Sequence, residues 1–350
     1  MDKIGEGLLQ EGDVILYNGD SWISKAIRFF DGTEVNHAAV FLGNGRVGEA
    51  IGQGLTERSF GESTKGDRYV IVRRLTTQPG TMAPVVQKAR AYLAIGNRYA
   101  FEQILLLAFL GMTRKVPVNP YLKWLMRKVF DQACEFLSAP GKRQPMICSE
   151  YVCRCYNEAL PISTDPYTLR INDFPAISGA GRLRGRTDPA APHRRRMHAD
   201  SLLAWTEEVL LSPKQLRGDP LVAALEGPKA RGAAKPAPAD RKMAALAVDT
   251  LIEKYLTKTK EPPLRAFDAE ADLRDAAMLA AIVTFVRTYD RATDARGAGK
   301  EKPEPAGAVG EASEALRRFR ETIDNFVTPG DLLKCSDLFH VGKIVMAPKP

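Results

Sequence analysis

Three residues far apart in the chain are of the types that carry out acyl transfer together: His37, Glu49 and Cys148. His37 leads the apolar run Ala38-Ala39-Val40-Phe41-Leu42, where a strand buries a polar ring and the ring needs a partner. Glu49 lies on the return strand of a hairpin turning at Gly43-Asn44-Gly45. A three-residue loop sets Leu42 against Arg46 and makes Glu49 a diagonal neighbour of His37 on the same sheet face. A two-residue Asn44-Gly45 loop, which Asn-Gly favours, puts Glu49 on the other face. The sequence leaves both registers open, along with the blander readings of a structural histidine and an ordinary strand carboxylate. In the first register the carboxylate accepts the ring N–H and fixes its tautomer. Cys148 opens a segment with helical apolar spacing at Val152, Cys155 and Ala159. A helix N-terminus lowers a thiol pKa, and its free N–H groups hold a developing oxyanion. The alternative for Cys148 is a small buried hydrophobe, as expected for Cys153 and Cys155.

No metal or cofactor is expected. The spacing of Cys148, Cys153 and Cys155 holds no C-x-x-C pair, and no H-x-x-x-H follows. His193 and His198 fall in an arginine-rich stretch and read as solvated.

The elements that must position these residues come in blocks. Residues 1–80 read as β-rich, with strands over 13–17, 35–42, 46–51, 55–59 and 68–74 and one helix over 21–30 that Ser21 caps. Residues 82–160 read as helical, over 83–95, 101–112, 121–137 and 148–160. Beyond 165 the composition changes. Six arginines and one acid, Asp188, crowd 182–196, while 212–240 and 293–310 read as linkers. Helical patterns at 200–211, 241–255, 266–292 and 311–326 suit a small bundle. The tail Thr328-Pro329-Gly330-Asp331-Leu332 has the look of the opening Gly12-Asp13-Val14, a turn entering a strand.

Length and composition bound the rest. A chain of 350 residues, 45% apolar and 26% charged, is ordinary globular material of about two domains. Five cysteines make no disulfide framework. The net charge of +8 is mild, and the arginine stretch carries no interleaved aromatics, so nucleic-acid binding is not expected. The first 13 residues lack a leader's apolar core, and the longest apolar run, 104–112, is about half a membrane span. A cytoplasmic protein is expected, with leaderless export left open.

Gly12-Asp13-Val14-Ile15-Leu16, Asn36-His37-Ala38-Ala39-Val40, Glu49-Ala50 and Cys148-Ser149-Glu150-Tyr151-Val152 together resemble the circularly permuted NlpC/P60 papain-like hydrolases. The nearest subgroup is the YiiX/YaeF-type amidases, relatives of lecithin:retinol acyltransferase. Gly96-Asn97-Arg98-Tyr99 and the tail with Val341-Gly342 resemble further segments of that subgroup. The resemblance covers roughly 1–165 and 326–345, and Asn36 stands where a serine commonly precedes the histidine.

It implies an α+β fold: a permuted papain-like core over 1–165 with an antiparallel sheet and packed helices, a mainly α-helical insertion over 166–325, and a C-terminal segment, 326–350, returning to the core. It implies Cys148 as nucleophile, His37 as base and Glu49 as the residue orienting it. The backbone N–H groups of Cys148 and Ser149 then serve the oxyanion, and Tyr17 is a candidate helper. The substrate is a peptide or lipid acyl group, by hydrolysis or transfer. The region 101–137 either covers the core or contacts an acyl chain or membrane surface. Against this stands an inactive papain-like scaffold, or a membrane- or nucleic-acid-binding module, acting through the basic insertion.

Overall fold

The structure is a computed structural model. The structure describes residues 2–51, 54–95, 102–113, 120–138, 146–160, 166–171, 201–211, 276–294, 307–323 and 326–346. Gly96-Asn97-Arg98-Tyr99, the arginine stretch with His193 and His198, the linker 212–240 and the expected helix 241–255 lie outside the described residues.

The fold is α+β. β1 (Val14–Gly19), β2 (His37–Gly43), β3 (Arg46–Ile51), β4 (Gly54–Ser59), β5 (Asp67–Leu75) and β6 (Leu338–Val345) form one antiparallel sheet in the order β4-β3-β2-β1-β5-β6. β1 and β2 are central and apolar on both faces, so every residue of each is buried. One face carries Val14, Leu16, Ala38, Val40 and Ala50 into the main core. The other carries Ile15, Tyr17, Ala39, Phe41 and Val47 into a smaller cluster closed by Phe60 and by Ile4 and Leu9 of the N-terminal segment.

α1 (Trp22–Asp31) follows β1, capped by the Ser21 side chain at its start and ended at Gly32 in the left-handed region. α2 (Phe60–Ser63) is a single turn after β4, closed by a Ser59–Glu62 capping box. α3 (Ala83–Ile95) and α6 (Cys148–Asn157) pack together over β2 and β3. Gly48 lets α6 approach, because a Cβ there would meet the Tyr151 hydroxyl.

α4 (Glu102–Thr113) and α5 (Pro120–Ser138) pack on each other and on α7 (Leu202–Leu211), α8 (Ala276–Asp294) and α9 (Gly307–Ile323). The ring of Phe109 sits among Phe285, Tyr289, Phe319 and Phe326. This accounts for a helix that is apolar all round: its residues from Leu105 to Leu110 are all buried. The bundle expected within 166–325 is thus completed by α4 and α5 from before it.

The tail departs from expectation. Thr328 enters a short helix, α10 (Pro329–Lys334), and not a strand. The Thr328 hydroxyl accepts from the Asp331 N–H at 3.1 Å, the Asp331 carboxylate accepts from the Thr328 N–H at 2.8 Å, and proline takes the first helical position. At the opening the Asp13 carboxylate likewise accepts the Gln10 N–H at 2.8 Å, but Gln10 has no hydroxyl to return the bond, and there the chain runs on into β1. The strand β6, for which the sequence reading has no element, then pairs with β5 at the sheet edge. Thr328→Ala removes the cap and is expected to destabilise the fold by about 1 kcal/mol in urea unfolding; an unchanged midpoint would contradict the capping assignment.

Candidate active site

Both turn residues of the β2–β3 hairpin have positive φ, 50° at Asn44 and 65° at Gly45, which is the short two-residue turn. Gly43 therefore pairs with Arg46. The register then slips between Gly43 and Phe41, so that Phe41 faces Val47 and Ala39 faces Glu49. One extra residue in β2 converts the short loop's register into that expected of the longer one. Glu49 consequently lies on the face of His37, not the opposite one.

On that face the Nε2 of His37 meets Glu49 Oε2 at 3.0 Å. Both residues are buried, Glu49 to 1% exposure. The other carboxylate oxygen, Oε1, accepts from Arg58 Nη1 at 3.2 Å. Thr56 is directly opposite Glu49 on β4, so strand alternation brings Arg58 back to the same face as its diagonal neighbour. Tyr17, directly across from His37, sets its ring 5.0 Å from the imidazole, and its hydroxyl is 2.7 Å from the Ser63 hydroxyl. Burial, with the Glu49 charge adding, pushes the Tyr17 phenol well above its usual range, so it stays neutral. Asp67 stands at the start of β5 opposite Gly19. Burial raises its carboxyl to about 6, Glu49 adds to the rise and His37 opposes it. Arg58, Ser63 and Asp67 are absent from the sequence reading. Only the exact β4 register exposes Arg58, and only the one-turn helix α2 delivers Ser63.

Cys148 is fully buried at the first position of α6. Ile147 precedes it with no capping side chain. The end of α6 is tied to the start of β1 and the end of β5. Tyr156 donates to the Gly12 carbonyl, and Asn157 accepts from the Leu169 N–H at 2.7 Å. Arg170 N–H reaches Asp337 at 2.6 Å, beside the Leu75–Leu338 pair. The Cys148 end of α6 lies by the C-terminal segment, whose Gly330 N–H donates to Asp31 at the end of α1 at 2.8 Å. Ser149 anchors that end, its hydroxyl donating to the Val327 carbonyl at 2.6 Å.

Alternation puts His37 and Glu49 on the face away from α6. There the His37 ring is buried against Tyr17 and Glu49. The described contacts thus join His37, Glu49 and Tyr17, while Cys148 begins α6 in the core on the other face of the sheet. Cys134 is half-buried and Cys153 is buried. Burial raises Cys134 to about 11 and Cys153 to about 12, and it carries Cys155 higher still. Among the described residues no group of three or more His, Cys, Asp or Glu side chains is placed to hold a metal ion. Among them, too, no helix is long and apolar enough to cross a membrane.

No family model and no curated protein matches the sequence. Among solved structures, the metalloprotein yiiX from Escherichia coli is similar with a TM-score of 0.27 and 21% identity, over 44% of this chain and 67% of that one. Likeness at that level carries no argument about the site.

Asp67 supplies a test of the buried charge around His37. A carboxyl raised above its unfolded value of 3.8 to about 6 contributes stability that is complete below about pH 4 and lost as pH rises through 6. Asp67→Asn is therefore expected to match the parent protein near pH 4 and to exceed it by on the order of 1–2 kcal/mol at pH 7.5. Unfolding curves that differ equally at both pH values would contradict this environment.

Proposed function

We propose that the chain is a cysteine-dependent hydrolase or acyltransferase built on a permuted papain-like core, acting on an amide or ester of a peptide or lipid. The observation that carries this reading is the buried 3.0 Å His37–Glu49 bond, with Cys148 standing at the start of a helix that has no capping side chain.

In this reading the thiolate of Cys148 attacks the substrate carbonyl carbon. The oxygen, now negative, is held by the N–H groups of Cys148 and Ser149 in the uncapped first turn of α6. With Glu49 on Nε2, proton transfer runs through Nδ1 of His37. The imidazolium protonates the leaving amine or alkoxide as the C–N or C–O bond breaks, leaving a thioester on Cys148. Water, or an amine or hydroxyl acceptor, loses its proton to His37, attacks the thioester and releases the thiolate. Glu49 holds the ring orientation and balances its charge. Tyr17 packs against the ring as a neutral support.

Full burial of Cys148 requires its cover to open before substrate enters. It also favours one alternative, an inactive scaffold acting through its helical insertion. We assign no membrane contact to α4, whose apolar residues are used in the bundle core.

The test is intact-mass spectrometry of the full chain after incubation with acyl-peptide and phospholipid substrates. The expected result is an acyl mass on Cys148, absent from His37→Ala, and a loss of turnover of roughly a thousandfold or more in a folded Cys148→Ala variant. Undiminished turnover in Cys148→Ala overturns the assignment. A folded parent protein that takes up no acyl group from any of them supports the inactive scaffold.

A further inference from the structure

The Glu49 carboxylate has two partners, and the catalytic reading uses only one. We propose that Arg58 is the positioning residue of this site: it keeps Glu49 anionic while the His37 ring is neutral, and so allows the His37–Glu49 pair to release its proton. This inference rests on the reading of His37 as the base.

The geometry is that of a fork. Nη1 of Arg58 donates to Glu49 Oε1 at 3.2 Å, and Nη2 donates to the Glu62 carbonyl. The Glu62 backbone is itself pinned: the Ser59 hydroxyl accepts its N–H at 3.3 Å, and its carboxylate accepts the Ser59 N–H at 3.1 Å. The guanidinium is therefore aimed from a closed turn, with its own residue about two-thirds buried at 32% side-chain exposure. Its bond to Oε1 turns Oε2 toward His37. A carboxylate without that second bond would be free to rotate about its last torsion.

The charges around the pair come from every neighbouring element. β1 brings Tyr17, held neutral; β3 brings Glu49; β4 brings Arg58; and β5 brings Asp67, whose carboxyl burial favours the neutral form. The Glu62 carboxylate is turned to Ser59, and Glu57 is paired outward with Arg46. Among the described residues Arg58 is thus the cation bonded to Glu49 once His37 has given up its proton. Without it, a neutral imidazole would leave a carboxylate buried to 1% exposure with no counter-charge, a state that low-dielectric surroundings strongly disfavour. The pair would then keep its proton, and its apparent pKa, which belongs to both groups together, would rise.

The experiment follows the His37 imidazole by long-range nitrogen–proton NMR across a pH series. The full chain is compared as the parent, Arg58→Met, Arg58→Gln and Arg58→Lys, with His37→Gln assigning the signal among the four histidines. Removing the charge with Met or Gln is expected to raise the titration midpoint by about one pH unit, and Lys is expected to return it most of the way. In either neutral variant that folds, as judged by an unchanged sheet and helix circular dichroism, a midpoint that stays put or falls overturns the proposal. The result separates from that of the functional reading. A raised midpoint in a protein that never acylates Cys148 upholds Arg58 and removes the catalytic role. Acylation of Cys148 with an unmoved midpoint upholds the chemistry and removes Arg58 from it.

Discussion

A carboxylate with 1% exposure in the middle of a sheet is tolerable only if it is paired on both oxygens, and Glu49 is. His37 takes one oxygen and Arg58 the other. This buried charge sets the terms for everything near it. Tyr17 remains neutral, the Asp67 carboxyl is pushed up, and the turn of α2 must close so that Arg58 has a fixed origin. A hydrophobic set of the same volume would pack as well. The pair therefore argues for chemistry or specificity more than for stability.

The contact exists because of one extra residue. Asn44 and Gly45 make the tight turn that their positive φ angles allow, and alone it would send Glu49 to the wrong face. The slip between Phe41 and Gly43 reverses that outcome for every residue beyond it. Gly48 on the same strand has the complementary task on the other face. It lets Tyr151, and with it α6, lie close to the sheet. β3 thus carries the positioning residue of the imidazole on one side and the seat of the Cys148 helix on the other.

Much of this is legible in the sequence, and the reasons are local. The helix beginning at Cys148 follows from apolar spacing and the loop before it, and α3 follows at the same bounds from its periodicity and the glycine after it. The hairpin is written in Asn44-Gly45, but the bulge is not, because slippage is decided by which face the whole of β3 must bury. Arg58 is unreadable in advance for the same reason: its role depends on a register two strands away. Thr328 misleads because a turn entering a strand and a capped helix begin with similar residues: Asp13 and Asp331 each accept the N–H three residues back, and the Thr328 hydroxyl bond and Pro329 separate the two. The apolar run in α4 shows burial without its cause, which is supplied by α1 and α5 packed on it and by the rings of α8 and α9 around Phe109, from more than 150 residues later.

The central claim is that the His37–Glu49 pair ionises the thiol at the start of α6. The most direct measurement is the pH dependence of Cys148 reaction with a small thiol reagent, methyl methanethiosulfonate, read peptide by peptide in the parent protein and in His37→Ala. Cys134, which burial raises to about 11, serves as the internal reference. The shape of the profile, not the absolute rate, is decisive for a buried sulfur. Cys148 is predicted to react at a nearly constant rate down to about pH 6 while Cys134 slows tenfold per unit, and His37→Ala is predicted to make the two profiles alike. A Cys148 rate that falls tenfold per unit alongside Cys134 in the parent protein would contradict the claim.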